Sequence, residues 1–98
     1  MAEYRNIYFI GIGGIGMSAI ARYYNFKGLK VSGYDKTPSD LTRALESEGI
    51  DVHYEDNVSH IPEDVENTLV IYTPAIPKDM GELTYVQEKG YRVIKRSR

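Results

Sequence analysis

The sequence predicts an α/β fold in which one parallel sheet of five strands lies between two layers of helices. Three junctions pass from a helical pattern through a glycine into a strand-like run, at Gly28, Gly49 and Gly90. Such junctions are typical of parallel βα units. The runs Ile7–Ile10 and Thr68–Thr73 are rich in β-branched and aromatic residues, as strands buried on both faces are. With the first run in the centre, the predicted strand order is 3-2-1-4-5.

The helices are predicted from apolar periodicity and from their capping residues. The first follows a glycine-rich run and ends at Gly28, and its buried face is expected to consist of Ile15, Ala19, Tyr23 and Phe26. The second is predicted to begin at Thr37 as N-cap, with Pro38 at the first helical position and Asp40 completing a capping pair. A third is predicted over Asp79–Lys89, with Leu83 and Val86 directed inward.

The remaining strands are predicted at Leu29–Tyr34, Ile50–Tyr54 and Tyr91–Ile94. The acidic segment 55–67 contains Pro62, which argues against a long helix, so we expect a loop with one short helical turn. This segment would carry the chain across the sheet.

The composition is that of an ordinary folded chain, and we expect residues 1–98 to form a single domain. Hydrophobic residues make up 42% and charged residues 27% of the 98 residues, and the net charge is −2. No basic cluster precedes Lys95, Arg96 and Arg98, which are interpreted as a solvated tail, so a nucleic-acid surface is not predicted. Cysteine is absent, and no signal-like or membrane-spanning run occurs. We therefore expect a cytoplasmic protein with no membrane contact.

An anion site is predicted where the first strand ends. Gly11, Gly13 and Gly16 have the G-x-G-x-x-G spacing between a strand and a helix, which predicts a Rossmann-like domain. In that order, they are expected to allow a tight turn, the approach of a diphosphate and the packing of the helix on the sheet. Free N–H groups at the five residues from Gly13 to Met17 would point at the ligand. The predicted phosphate-binding residues are Gly11, Gly13, Gly14, Ile15, Gly16 and Met17.

Two further segments are expected at the same edge of the sheet. Asp35 follows the last glycine by about 20 residues, where a carboxylate can accept hydrogen bonds from ribose hydroxyls. Alternatively, it only starts a turn. The loop Thr73–Pro77 would face the glycine loop across the switch point between strands one and four, and it would offer backbone groups and the Thr73 hydroxyl. The alternative is a connector stiffened by two prolines.

No reaction centre is predicted. The chain has no G-x-x-x-x-G-K-[ST] loop and hence no Walker-type ATP site. His53 and His60 lack metal-ligand spacing and are interpreted as surface residues. The residues alone leave three functions open: a sugar-nucleotide module of a ligase, an NAD-binding domain of an oxidoreductase or ligand-sensing regulator, and a structural domain whose glycine loop is empty.

The run Gly11–Ala21, the segment Val31–Asp35 and the pair Ala75-Ile76 closely resemble the amino-terminal domain of the Mur ligases of peptidoglycan synthesis. The likeness is greatest to the members that attach L-alanine to UDP-N-acetylmuramic acid, and it covers essentially the whole chain. It implies that the bound diphosphate is that of UDP-N-acetylmuramic acid. The implied contacts are Gly13, Gly14, Ile15 and Gly16 at the diphosphate, Asp35 at the ribose, and Thr73, Ala75 and Ile76 near the nucleoside.

The resemblance also implies that this chain is the excised amino-terminal domain of a larger ligase. The reaction would be ATP-dependent amide formation between the lactyl carboxyl of the sugar nucleotide and L-alanine, through an acyl phosphate. ATP and Mg²⁺ would bind in a central domain and L-alanine in a carboxy-terminal domain, so no cofactor and no catalysis are expected from this fragment alone. The chain departs from the family pattern at Tyr34 and at Glu55-Asp56, where many relatives have a small residue and a histidine.

Overall fold

The computed structural model describes residues 4–96 and contains one sheet of five strands. Neighbouring strands are all parallel, and their order is β3-β2-β1-β4-β5. The predicted fold class and strand order are thus confirmed. The strands are β1 (Asn6–Ile10), β2 (Lys30–Tyr34), β3 (Asp51–His53), β4 (Thr68–Tyr72) and β5 (Arg92–Lys95).

The helices cover both faces of the sheet. They are α1 (Ile15–Phe26), α2 (Asp40–Ser47) and α3 (Gly81–Glu88), and the acidic segment forms two 3₁₀ turns, Val58–His60 and Val65–Asn67, instead of one. Successive side chains of β1 point to opposite faces, so Ile7 and Phe9 join the core under α1 and α2, whereas Tyr8 and Ile10 join the core under α3. Within residues 4–96 we find no helix with the length and apolar character that a membrane-spanning segment needs.

The predicted buried face of α1 is wrong. The side chains of Ile15, Tyr23 and Phe26 are 82%, 56% and 88% exposed, and the buried residues of the helix are Met17, Ser18 and Ala21. Apolar residues occur on every side of this helix, so helical spacing alone could not select the inner face. The sheet accepts the side with the small residues Ser18 and Ala21, because they allow the helix to approach closely.

The predicted start of α2 is also wrong, by two residues. Ser39 is the N-cap, and its Oγ accepts a hydrogen bond from Thr42 N at 3.2 Å. Ser39 N in turn donates to Thr42 Oγ1 at 2.8 Å, which makes a reciprocal capping box. Thr37 lies in the preceding turn, where its amide donates to Asp35 Oδ2 at 3.2 Å. In α3 the predicted inward residues, Leu83 and Val86, are buried as expected.

Candidate functional site

An open crevice of about 670 Å³ lies at the carboxyl ends of β1, β2 and β4. One wall is the glycine loop and the other is the loop that begins at Thr73, in which Ile76 N donates to Thr73 O at 3.1 Å. Open parallel sheets bind ligands at such a switch point, outside the carboxyl ends of the strands. The structure brings six predicted residues into this lining: Gly11, Gly14, Asp35, Thr73, Ala75 and Ile76.

The other predicted residues lie beside the crevice rather than in its lining. Met17 is buried in the core and only 3% exposed, and the Ile15 side chain projects away from the protein. Only the backbone of these two residues is therefore available to a ligand at the glycine loop. Gly13 lies close to the side chain of Asp35, and Gly16 lies close to the side chain of Arg96.

Five free amides were expected between Gly13 and Met17, and the structure corrects this number to three. Gly13 N donates to Asp35 Oδ1 at 2.9 Å, and Gly14 N is 3.4 Å from Gly11 O. The amides of Ile15, Gly16 and Met17 form the first turn of α1 and have no acceptor within residues 4–96. They remain available to an anion at the positive end of the helix.

The first glycine has the predicted role in a tight turn. Gly11 has φ +95°, and a Cβ there would overlap Thr73 Cγ2. The amides of Gly11 and Ile12 both donate to Tyr34 O, at 2.7 and 2.9 Å. These bonds attach the glycine loop to the end of β2, and Gly11 lies against the Thr73 side chain on the side of β4.

The second glycine lies against a carboxylate, a contact that was not predicted, and its role in the approach of a diphosphate stays a prediction. A Cβ on Gly13 would lie 2.9 Å from Asp35 Oδ1 and 3.0 Å from Thr42 Cγ2. The close approach is therefore made by the Asp35 carboxylate, which accepts from Gly13 N and Thr37 N. The carboxylate thereby holds the glycine loop to the turn that follows β2, and this pair of bonds is called the Asp35 clamp below. Each carboxylate oxygen retains a further lone pair that a ribose hydroxyl could use.

The third glycine faces a cation from the far end of the chain. A Cβ on Gly16 would lie 2.7, 2.8 and 2.9 Å from Nη2, Cζ and Nη1 of Arg96. The side of Gly16 on which a side chain would stand is therefore occupied by a guanidinium, and the role of this glycine in helix packing stays a prediction. Arg96 is half-buried, so its interpretation as part of a solvated tail is also wrong, whereas Lys95 is exposed and Arg98 lies outside the described residues.

A buried polar network behind the crevice was not predicted. Glu82 is fully buried; Tyr8 Oη donates to its Oε1 at 2.6 Å, and Asn57 N donates to its Oε2 at 2.9 Å. His53 Nε2 lies 2.9 Å from Glu82 Oε2 and 2.8 Å from Tyr8 Oη, so His53 is not the surface residue that we expected. Because the phenol donates to the carboxylate, a proton on Nε2 of His53 satisfies both contacts. Burial, together with the bond to Glu82, raises the pKa of Tyr8.

Asp56 connects this network to the crevice. Its Oδ2 accepts from Gly81 N and its Oδ1 from Glu82 N, both at 2.8 Å, so it caps the amino end of α3. Asp56 and the buried Tyr34 also line the crevice. Tyr34 and Asp56, which the resemblance implies are departures from the pattern of many relatives, therefore both lie on the candidate binding surface.

A second crevice, of about 660 Å³, lies at the opposite edge of the sheet, where Asn6, Lys30 and Asp51 begin their strands. Amino ends of parallel strands lack the loop-to-helix turns that bind ligands in such sheets, so the crevice at the glycine loop is the better candidate. Among residues 4–96, no group of three or more His, Asp or Glu side chains could hold a metal ion.

Comparison with known proteins assigns the family. Residues 6–98 match the profile described as "Mur ligase family, catalytic domain". This chain belongs to the Mur ligase family. It is 58% and 60% identical to the proteins named UDP-N-acetylmuramate--L-alanine ligase of Flavobacterium johnsoniae and Flavobacterium psychrophilum, in each case over 97% of its own length. It spans 22% of the length of each of these relatives.

Solved structures of this family have the same fold. The UDP-N-acetylmuramate-alanine ligase of Thermotoga maritima superposes with a TM-score of 0.84 at 31% identity, over 93% of this chain and 20% of that protein. A murein peptide ligase from Psychrobacter arcticus has a TM-score of 0.79 at 24% identity, over 91% of this chain and 18% of that protein, which is a likeness of fold alone. The resemblance drawn from the glycine run is confirmed, and the alternative of an NAD-binding domain is not favoured.

Proposed function

We propose that this chain is the UDP-binding part of a UDP-N-acetylmuramate:L-alanine ligase, and that it binds UDP-N-acetylmuramic acid for peptidoglycan synthesis. The observation that carries the proposal is the identity of 60% over 97% of the chain to a relative with that name. The position of the crevice supports it, since the glycine loop and the Thr73 loop line opposite sides of one opening at the switch point.

The diphosphate is proposed to bind at the amides of Ile15, Gly16 and Met17, which have no acceptor within the described residues. Free first-turn amides and the helix dipole both favour an anion there. The uridine would then lie in the crevice, with its ribose near Asp35. The apolar side chains of Ile76, Pro77 and Met80 in the lining suit a flat base.

The chemistry is proposed to need the rest of the protein. ATP with Mg²⁺ would activate the lactyl carboxyl as an acyl phosphate, and L-alanine would attack it, in parts of the ligase beyond these 98 residues. The contribution of this chain is to hold the UDP end of the substrate. We propose the cytoplasm as its compartment, in keeping with a sequence that contains no cysteine.

Calorimetric titration of the 98-residue chain with UDP-N-acetylmuramic acid, UDP and NAD tests this function. Binding of both UDP compounds, without binding of NAD, is the expected result. Binding of NAD alone would point to an oxidoreductase or sensor domain, and the absence of all binding would leave a structural domain. Both of these results would overturn the proposal.

Two matched variants locate the binding site. Ala75→Glu adds a bulky carboxylate to the candidate crevice from an exposed position, and Ser59→Glu places the same side chain at an exposed position in the opposite crevice. UDP affinity should fall about tenfold or more in the first variant and stay within about twofold in the second. The reverse pattern would assign the nucleotide to the opposite edge of the sheet.

A further inference from the structure

The crevice has the wrong charge for a diphosphate. Three carboxylates, Asp35, Asp56 and Asp79, and a single cation, Lys36, contribute to its lining. A nucleoside diphosphate brings at least two more negative charges into this acidic surrounding, and like charges at close range repel. The three amides at the start of α1 carry only partial charges. A full positive charge close to the glycine loop would offset the repulsion.

Arg96 supplies such a charge against the third glycine. The near-equal distances of 2.7 to 2.9 Å from a Cβ on Gly16 to Nη2, Cζ and Nη1 mean that the guanidinium lies across the bare backbone of that residue. Its own backbone is fixed at the end of β5, where Arg96 N donates to Tyr72 O at 2.8 Å. The head group therefore lies against Gly16, whose amide is one of the three free amides in the first turn of α1.

The guanidinium has no internal use in the described part of the chain. Within residues 4–96 the three ion pairs are Arg22 with Glu48, Arg43 with Asp40, and His53 with Glu82, and no side-chain hydrogen bond involves Arg96. The five N–H donors of the guanidinium thus lie next to Gly16, one of the three residues whose backbone amide is free. Planar guanidinium groups bind phosphate oxygens in pairs, which a neighbouring ammonium cannot reproduce.

We propose that Arg96 binds the diphosphate of the nucleotide together with the first-turn amides of α1, and that Gly16 is bare in order to admit its guanidinium. The proposal rests on the proposed function, because it assigns one more contact in the same site. Arg96 lies beside the crevice rather than in its lining, and it would place one full positive charge against the diphosphate, which offsets part of the repulsion from the three carboxylates.

Affinity measurements on Arg96→Gln, Arg96→Lys and Lys95→Gln test this assignment. NMR titration of the 98-residue chain gives Kd for UDP and for uridine, which lacks phosphate. Arg96→Gln should raise Kd for UDP about tenfold or more and leave Kd for uridine within about twofold. Arg96→Lys should fall between, because it keeps the charge and loses the paired geometry. Lys95→Gln removes the same charge from the exposed neighbour and should change neither value.

Gly16→Ala provides an independent test from the opposite side of the contact. Alanine is the better helix former, so α1 should be at least as stable, yet the new Cβ displaces the guanidinium. UDP affinity should therefore fall as in Arg96→Gln, with uridine affinity unchanged.

Two failures are distinguishable. If the parent chain binds UDP and Arg96→Gln binds it equally well, or loses UDP and uridine alike, the assignment of Arg96 is wrong and the proposed function stands. If the parent chain binds uridine and UDP with equal affinity, the diphosphate adds nothing to binding, and the assignment of Arg96 as a diphosphate contact is wrong. If the parent chain binds neither compound, the proposed function itself fails.

Discussion

Gly13 and Asp35 are joined by a hydrogen bond of 2.9 Å from the glycine amide to Oδ1 of the carboxylate. The bond fastens the glycine loop after β1 to the residue that follows β2. It uses one of the amides expected to meet a phosphate, and it leaves the first turn of α1 as the anion site. The Asp35 carboxylate therefore shapes the loop, whatever it later contributes to a ribose.

Replacement of Gly13 by alanine should destabilise the protein. The new Cβ would lie 2.9 Å from Asp35 Oδ1 and 3.0 Å from Thr42 Cγ2, so the carboxylate must move and its bond to the loop is lost. We expect the free energy of unfolding in urea to fall by about 1–3 kcal/mol.

Gly14→Ala is the matched control for Gly13→Ala. The nearest atom to a Cβ on Gly14 is 3.7 Å away, which is an ordinary contact. Its effect should be about 1 kcal/mol, the typical cost of alanine at an N-cap, and smaller than that of Gly13→Ala. Equal stabilities for the two variants would contradict the role given to the Asp35 clamp.

Glu82→Gln should be far more damaging than Glu88→Gln on the same helix. Both oxygens of the buried Glu82 accept hydrogen bonds, from Tyr8, Asn57 and the ring of His53. In glutamine an NH₂ group replaces one of the two carboxylate oxygens, so a donor faces a buried donor and that hydrogen bond is lost. The expected cost is about 2–4 kcal/mol. Glu88 is exposed, and its substitution should change the free energy of unfolding by less than about 0.5 kcal/mol. Similar losses in urea melts of both variants would exclude a structural role for the network.

Tyr8→Phe should alter the dependence of stability on alkaline pH. Burial first, and then the hydrogen bond to Glu82, raise the pKa of Tyr8 above its ordinary value of 10.0. The unfolded chain ionises this phenol above about pH 10 and the folded chain does not, so the free energy of unfolding falls as pH rises through that range. One such group contributes up to about 1.4 kcal/mol per pH unit.

The phenylalanine variant should therefore lose stability less steeply above pH 10 than the parent chain does. Some decline will remain, because burial also raises the pKa of Tyr34, Tyr54 and Tyr91. At neutral pH the variant should be less stable by about 1–3 kcal/mol, since Glu82 loses a donor. Urea unfolding at several pH values measures both effects, and parallel curves would show that Tyr8 ionises equally in both states.

Phe26→Ser should be nearly neutral, and Met17→Ala should not. Phe26, the last residue of α1, is 88% exposed, whereas Met17 lies on the buried face of the same helix and is 3% exposed. Loss of a buried methionine side chain costs about 2–5 kcal/mol, and an exposed substitution usually changes stability by less than about 0.5 kcal/mol. Urea unfolding of the two variants compares them directly. A larger loss of stability in Phe26→Ser than in Met17→Ala would indicate that Phe26 lies on the buried face of α1, as the sequence pattern predicted.

Signals that lie close together in the sequence predicted the fold correctly. Gly28, Gly49 and Gly90 have φ of +90°, +93° and +87°, so each helix-to-strand junction could be recognised from a few residues. The central strands were recognisable because both of their faces are buried. The start of α2 was less certain, since Thr37 and Ser39 are both good capping residues and only the turn around Asp35 decides between them.

Contacts between distant residues could not be predicted in this way. The inner face of α1 depends on the sheet beneath it, and apolar residues on all sides hide the choice. Gly16 and Arg96 meet only because β5 ends at the same edge as β1, and His53 meets Glu82 only through the packing of α3. Arg96 had one usable signal: like Asp35 and Thr73, it directly follows a parallel strand.

The response of backbone amides to UDP in the ¹⁵N-labelled chain tests the proposed diphosphate site most directly. We predict that the amides of Ile15, Gly16 and Met17 shift together with those of Thr73, Ala75 and Ile76, because diphosphate and nucleoside occupy adjoining parts of one site. If only residues of the opposite crevice shift, such as Lys30 and His60, or if the first turn of α1 stays unchanged at saturating UDP, the account of this site is contradicted.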